Sequence, residues 1–526
     1  MRPQISRSPR RRFGVVATAA VLTLSLAGCV SAVDKEEEED DQSTTTDGTP
    51  TPGGVLQMVQ AADIQPATVM AQNNPNMSFM RLVFNSLISL DHETLEPQPE
   101  LATEWTLSDD GLTLSFTLRE GVTFHDGKAL TSADVISSIE TIRREEVASQ
   151  MKHVANQITG TTAEDDQHVT ITFAQPMSNV FDLFDMMPII DVDTVDQLFE
   201  GKNFNGTGPF VVDEYTPGQG ISLSRNDGYW KDGQPYLDGV KITVVRDSQS
   251  MLSSLRSGQS HLALDLAPLD GTTLADDPNF ELVLSDAYDS TYYLGSNVTV
   301  PLLSDNRVRQ AISYAIDRDR VKEQVFGGVG TVTSLPWSPN SPAFDESLVD
   351  HYSYDVDKAT ELLAEAGATG APVNVYYDAG FAPNVGLAEI VEFNLTEAGL
   401  KPSMQPLQAA EFLDRLRSGG FDGMFMSGHG FGQLHPASLV KGAFPYNADR
   451  NASSFDSQEY KDLANALWTS AEPDQAAIDA MNEFLLDQQF VSDLVTYTHT
   501  YAISTELKGL SWTILDYINL DDAYLG

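Results

Sequence analysis

The clearest alternation of apolar and polar positions lies within residues 101–144. Leu112, Leu114, Phe116 and Leu118 alternate with Thr113, Ser115, Thr117 and Arg119. That period of two predicts a strand with one buried face. Asp109-Asp110-Gly111 ahead of it supplies turn residues, so 105–108 is expected to pair with the strand as a hairpin. A second turn follows at His125-Asp126-Gly127-Lys128. Thr131-Ser132-Ala133-Asp134 then has the spacing of a capping box, and a helix is expected to begin near Ser132.

The same reading carries along the chain. Strands are expected at 54–60, 169–173, 240–245, 373–377 and 421–427, with further strands inside 206–230. Residues 77–90 are expected to form a helix with Phe79, Leu82, Val83, Leu87 and Leu90 on one stripe. Asp305 is placed to cap a helix in which Val308, Ala311, Ile312, Ala315 and Ile316 recur at helical spacing. Further helices are expected at 321–326, 354–367, 387–398, 409–418, 457–468 and 474–489. The segments 497–503 and 510–514 look strand-like. Strands and helices alternate through the second half, which points to an α/β architecture there.

The ends change the picture. Arg2, Arg7, Arg10, Arg11 and Arg12 precede an apolar run, 13–27, shorter than the roughly 20 residues a membrane span needs. Residues 1–28 therefore read as an export signal. Arg10-Arg11-Arg12-Phe13 leaves both the general and the twin-arginine export routes open. Cys29 is the single cysteine, so no intrachain disulfide is available and stability has to come from core burial. Residues 29–53 are acidic, then Thr-rich, then Pro/Gly-rich, and are expected to be a flexible tether. The folded part, from about residue 54, is too long for one core.

Formal charge is −45, from 31 basic and 76 acidic residues. Removing residues 1–28 takes away five arginines and no acids, which leaves −50. Such a balance excludes a nucleic-acid binder acting by bulk electrostatics. It favours a cationic ligand only weakly, since acidity on this scale also serves solubility.

Residues 101–144 also resemble one family closely, the large solute-binding proteins of bacterial ABC importers, peptide- and nickel-binding class. The resemblance rests on Leu101-Ala102, Trp105, Ser108-Asp109-Asp110-Gly111-Leu112, Leu118-Arg119, Gly121-Val122, Phe124-His125-Asp126-Gly127, Leu130-Thr131 and Asp134-Val135. It continues through Gly206-Thr207-Gly208-Pro209-Phe210, Arg225-Asn226 with Tyr229-Trp230, Val308-Arg309-Gln310-Ala311 and Ala315-Ile316-Asp317-Arg318. Leu26-Ala27-Gly28-Cys29 resembles the bacterial lipoprotein box, which implies lipid on Cys29. The family implies a two-lobed periplasmic-binding-protein-like α/β fold, type II, with an extra subdomain and mixed sheets flanked by helices. It implies lobe I at 54–292 with a subdomain near 91–205, lobe II at 293–498, and a return to lobe I at 499–526. The crossover and hinge are expected near 292–297 and again near 497–501.

Function follows from what is present and what is missing. Gly206 and Gly208 are not followed by Lys-Ser/Thr, and strands rather than a helix come next, so a phosphate-binding loop is rejected. No Gly-x-Ser-x-Gly elbow, His-Glu-x-x-His helix or Ser-x-x-Lys motif occurs, which argues against the alternative of a secreted hydrolase. His125 beside Asp126 in a turn reads as local hydrogen bonding. The resemblance implies a binding protein without enzymatic activity or cofactor. It would be an exported monomer, lipid-anchored to the outer face of the membrane. It would capture a peptide or other small solute between its lobes and hand it to an ABC permease.

Two segments are candidates for the ligand site. One is the loop holding Asn73, Asn74 and Asn76. The other is Ser427, Gly428, His429, Gly430, Phe431 and Gly432, where glycines at a strand end let a ligand approach the main chain. The alternative for these glycines is a tight turn needing positive φ. In peptide-binding relatives an Asp after this strand pairs with the peptide ammonium. Here Gly432 stands in that place, so the resemblance puts ordinary α-amino peptides in doubt. His429 and His435 leave a metal chelate as an alternative ligand.

Overall fold

Leu114, Phe116 and Leu118 are all at most 2 % exposed, and they lie in the strand Thr113–Leu118. Its hairpin partner is Ala102–Leu107, with Trp105 opposite Phe116. The helix Ser132–Arg143 starts in a closed capping box: Thr131 N donates to Asp134 Oδ2 at 3.1 Å, and the Thr131 side chain serves the Asp134 end. The structure, a computed structural model, describes residues 50–526 apart from 72, 265, 275–276, 286–289 and 470–473. Cys29, the export segment and the tether up to residue 49 lie outside the described residues.

Two large mixed sheets carry the fold. The first has the spatial order Phe280–Leu284, Thr500–Ser504, Leu262–Ala263, Val55–Gln60, Gly239–Val244, Gly220–Arg225, Phe210–Thr216. The second has the order Thr331–Val332, Val491–Tyr497, Ser290–Ser296, Met424–His429, Pro372–Asp378, Lys401–Leu407. A four-stranded antiparallel sheet, Ala102–Leu107, Thr113–Leu118, His168–Phe173 and Ile158–Ala163, is built from residues between the first and later strands of the first sheet. The chain leaves the first sheet after Leu284, enters the second at Ser290, and returns between Tyr497 and Thr500. Ser285 N donates to His499 O at 3.2 Å, tying the two crossings together. Residues 292–296 are thus already a strand of the second sheet, and the first crossing precedes the expected 292–297. The largest buried cluster runs from Leu56 to Ala523 and includes Tyr293, Phe425 and Val491, so the two halves share apolar core.

The excess of acid has local uses. Asp247, Asp305, Asp317, Asp355 and Asp474 each accept a backbone N–H as helix N-caps. An acid there satisfies an orphan donor and faces the positive end of the helix dipole. Among the described residues no helix is long and apolar enough to cross a membrane.

The Phe124-His125-Asp126-Gly127 turn is a knot between distant segments. His125 N donates to Gly206 O at 2.9 Å, and its ring lies 3.0 Å from Gly208 O. Burial lowers the His125 pKa, which keeps the ring neutral. Lys128 Nζ reaches Asp134 at 3.2 Å, Asp193 at 3.0 Å and also Asp191, and together these partners raise its pKa. His125 and Asp126 therefore serve the fold through bonds to a segment about 80 positions away, where the sequence suggested local hydrogen bonding.

Several expectations are corrected. Residues 77–90 are not one helix: only Met80–Val83 is helical, and Ile88–Leu90 is a strand paired with Pro97–Pro99. Nearly every side chain from 79 to 90 is buried, so the apolar run has no polar face from which to read a period. At Phe84 the backbone turns extended because Val83 O is taken by Gly208 N at 2.9 Å. The segment 497–503 is not one strand but the end of Val491–Tyr497 and the start of Thr500–Ser504, in different sheets. Lys401–Leu407 is an unanticipated strand; Pro402 and Pro406 argue against a central strand, and it sits at the sheet edge, where proline is tolerated. The strand expected at 421–427 is Met424–His429, which carries Gly428 and His429 into the ladder.

Candidate functional site

Met424–His429 runs between Ser290–Ser296 and Pro372–Asp378, with Gly428 opposite Tyr292 and His429 opposite Thr291. Met424, Phe425 and Met426 are fully buried, and the strand then opens onto a cavity of about 260 Å³. Gly428, His429, Gly430 and Phe431 form one wall, and Ser290, Tyr292 and Tyr293 from the neighbouring strand form another. Phe381, Leu416, Phe444, Pro445 and Ala443 complete it, with Gln150 from the segment between the helices Ser132–Arg143 and Lys152–Ala155.

The glycines split into two roles. Gly428, Gly430 and Gly432 are absent from the positive-φ positions, so a turn needing left-handed backbone is not their reason. A Cβ on Gly428 would sit 3.7 Å from Thr291 O, an ordinary contact, so the fold tolerates a side chain there. A Cβ on Gly432 would sit 2.5 Å from Pro336 O, and Gly432 O accepts from Ser338 N at 3.0 Å. Gly432 is thus a packing glycine against the loop after Thr331–Val332; neither it nor Ser427 lines the cavity.

His429 is 7 % exposed, and burial lowers its pKa to about 3, so it is neutral. Phe431 N donates to Nδ1 at 3.5 Å, which leaves the ring proton on Nε2. Nε2 is covered and faces Asp493 Oδ1 at 4.0 Å, beyond hydrogen-bond reach. The ring is flanked by Tyr293 and Tyr446, whose centroids lie 5.9 and 5.5 Å away. Behind it, Asp493 accepts from Tyr446 Oη at 2.5 Å, and burial pushes its pKa up to about 7. In this arrangement neither ring nitrogen is free for the metal-chelate alternative. His435, the N-cap residue of Pro436–Gly442, is likewise lowered to about 4 by burial. Among the described residues no group of three or more His, Cys, Asp or Glu is placed to hold a metal ion.

The asparagine loop is braced from within. Asn76 is fully buried; its Oδ1 accepts from Gln65 N at 2.7 Å and its Nδ2 donates to Gln65 O at 3.1 Å. Asn73 Oδ1 accepts from Asn76 N at 3.2 Å, and its amide donates to Thr68 Oγ1. These two asparagines hold the loop, and Asn76 has no surface left for a ligand, contrary to expectation. The side chain of Asn74 lies outside the described residues.

Sequence reasoning missed Gln150, Ser290, Phe381, Leu416 and Phe444. Gln150 and Leu416 carry no local signal. Phe381 and Phe444 are visible as large apolar residues outside any helical stripe, and they are 40 % and 41 % exposed. A second cavity of about 590 Å³ lies beside Arg81, Glu100, Lys231 and Asp521. Its cations are already paired, Lys231 with Asp521 at 2.7 Å and Glu100 at 3.3 Å, and Arg81 with Asp185 at 3.1 Å. The smaller cavity, where a strand end of the second sheet meets Gln150, is the better candidate.

Two mixed sheets are joined by two crossings, and the cavity lies at the end of a strand of the second. Residues 96–450 match the family model described as bacterial extracellular solute-binding proteins, family 5 middle. The chain belongs to that family, whose members bind peptides or small solutes outside the cytoplasm and work with ABC permeases. It is 27 % identical over 348 residues to the glutathione-binding protein GsiB of Escherichia coli K12, covering 65 % of this chain and 67 % of that one. It is 26 % identical over 440 residues to heme-binding protein A of Haemophilus influenzae, covering 76 % and 78 %. Its fold is similar to that of the Helicobacter pylori periplasmic binding protein DppA solved with the peptide STSA. The TM-score is 0.77 at 22 % identity, over 90 % of this chain and 98 % of that one.

Proposed function

We propose that this protein is the lipid-anchored solute receptor of an ABC importer, and that it captures a peptide or peptide-like solute in the 260 Å³ cavity at the end of Met424–His429. The observation that supports this most is the make-up of the cavity: residues of two adjacent strands of the second sheet line it together with Gln150, from the part of the chain before the first crossing. A ligand there touches both halves of the chain, so its binding energy favours their closed arrangement. Backbone at exposed Gly428 and half-buried Gly430 suits pairing with an extended ligand, which tolerates varied side chains.

Gly428→Val tests the site. The added Cβ meets only ordinary contacts, and the side chain beyond it takes up cavity space. Affinity for the cognate solute is expected to fall at least 100-fold by calorimetry, with the ligand-free melting temperature within about 2 °C of wild type. Unchanged affinity overturns the assignment.

Closure about the crossings between Leu284 and Ser290 and between Tyr497 and Thr500 is read by small-angle scattering. A saturating solute is expected to reduce the radius of gyration, and superimposable profiles count against a hinge. The anchor is tested separately. Stable attachment needs more than one acyl chain, because each buried CH₂ contributes only about 0.8 kcal/mol. Cys29→Ala is expected to move the protein from the membrane fraction to the medium. Retention in the membrane would remove the lipoprotein reading.

A further inference from the structure

The two halves of the chain also meet away from the large sheets. Helix Val180–Met186 precedes the first crossing, and helix Pro436–Gly442 lies between the two crossings. A run of side-chain hydrogen bonds joins them. Ser438 Oγ donates to Asp182 Oδ2 at 2.6 Å, and Asn179 Nδ2 donates to Ser438 Oγ at 2.8 Å. Asn179 Nδ2 also lies 2.9 Å from His153 Nε2, and His153 Nδ1 lies 2.9 Å from Gln150 O. The ring proton therefore sits on Nδ1, and Nε2 accepts. Asn179, Asp182 and Ser438 are at most 2 % exposed. Beside them Ser178 N donates to Trp468 O at 3.0 Å, and Ser178 Oγ to Leu467 O at 2.8 Å. Gln150 and Ala443 line the cavity, so these bonds sit where the halves meet around it. Polar groups this buried are stable only while paired, and parting the halves hydrates them together.

The charges around Asp182 are arranged to leave it without a cation. Its partners are the Ser438 hydroxyl and the His435 backbone N–H. Arg81 pairs instead with Asp185, one turn along the same helix, and His92 also acts on Asp185. Lys441, on the helix of Ser438, reaches Asp449 at 3.5 Å and lies over the Trp468 ring. Lys152 Nζ donates to Arg144 O and Glu145 O. Burial lowers the His153 pKa to about 4, so that ring is a neutral acceptor. Burial pushes the Asp182 pKa up to about 7 against the Ser438 hydrogen bond, and Asp185 adds to the rise.

Resting on the closure about the crossings proposed above, we infer that His153, Asn179, Asp182 and Ser438 form a proton-linked latch, which holds the two halves together while the Asp182 carboxyl is protonated and lets go as it ionises. Once the halves part, water restores the carboxyl to its ordinary value of 3.8. Closure is thus favoured in acid, and that contribution is lost as pH rises from about 4 to about 7.

Small-angle scattering of the ligand-free full chain at about pH 5 and about pH 7.5 tests this. The wild-type radius of gyration is expected to be larger at the higher pH, with an unchanged far-UV circular dichroism spectrum. Asp182→Asn keeps an acceptor for Ser438 and cannot ionise, so it is expected to hold the compact value at both. Asp493→Asn removes the other buried carboxyl that titrates in this range and is expected to keep the wild-type response. Equal wild-type radii at the two pH values, or a response retained in Asp182→Asn, overturns the latch. A wedge, Ser438→Trp, keeps the two readings apart. Expansion of the folded wedge variant without a wild-type pH response leaves the hinge standing and removes the latch. No expansion in either removes both.

Discussion

Gly206→Ala is expected to cost more than about 4 kcal/mol of folding stability, the range of severe core lesions. A Cβ at this position would lie 1.8 Å from Val83 O and 2.8 Å from Val83 C, inside any permitted contact. The backbone of 79–84 cannot retreat easily. Gly208 N holds Val83 O at 2.9 Å, and His125 N holds Gly206 O at 2.9 Å. Gly208 is locked in the same way, with its Cβ position 2.6 Å from Leu82 O. The Gly-Thr-Gly-Pro-Phe run is thus a packing device that lets a loop lie flat on the buried turn Met80–Val83. Set against a typical total of 5–15 kcal/mol, the loss is a large share of the stability. Urea denaturation followed by circular dichroism measures it; a midpoint shift equivalent to less than about 1 kcal/mol would show that the 79–84 segment moves aside.

The second large effect is a pH dependence centred on Asp493. Burial raises its pKa from the ordinary 3.8 to about 7, with Tyr446 and Arg318 pulling the other way. Between those values the folded protein keeps a proton that the unfolded chain has lost. Its contribution to stability is therefore complete below about pH 4, falls as pH rises, and is gone above about pH 7. The slope approaches about 1.4 kcal/mol per pH unit inside the window. His429 works in the opposite sense. Its pKa is lowered from 6.5 to about 3, so it contributes stability above pH 6.5 that is lost as pH falls.

The wild-type curve mixes both effects, so the difference between variants is the clean observable. Asp493→Asn keeps an acceptor for Tyr446 Oη and removes the titration. Its stability relative to wild type is expected to rise steadily from pH 4 to 7 and to level off above. A difference that stays flat across that range would show that Asp493 is ionised in the fold, paired with Arg318.

Local physics made much of the fold legible. The strand Thr113–Leu118, the capping box at Thr131 and Asp134, and the Asp-capped helices Asn306–Ala315 and Val356–Glu365 all depend on neighbours within a few residues. The candidate site was legible only in part. Gly428, His429, Gly430 and Phe431 line the cavity, but which way His429 turns its nitrogens depends on Phe431 and Asp493, and the second of these is 64 positions away.

What the sequence by itself determined, then, is the family and the alternating and amphipathic elements. Each is encoded by short spacings or by a run of matched motifs. The tertiary structure alone decided where the apolar run 77–90 stops being helical, why Gly206 must be glycine, and that Lys401–Leu407 is an edge strand. It also decided that Gln150, Tyr292, Phe381 and Phe444 meet around one cavity. The reason is the same in each case. Burial on every side erases the period that reveals an element. A cavity is defined by surfaces that long-range packing brings together, and residues nearly 300 positions apart carry no mark of one another.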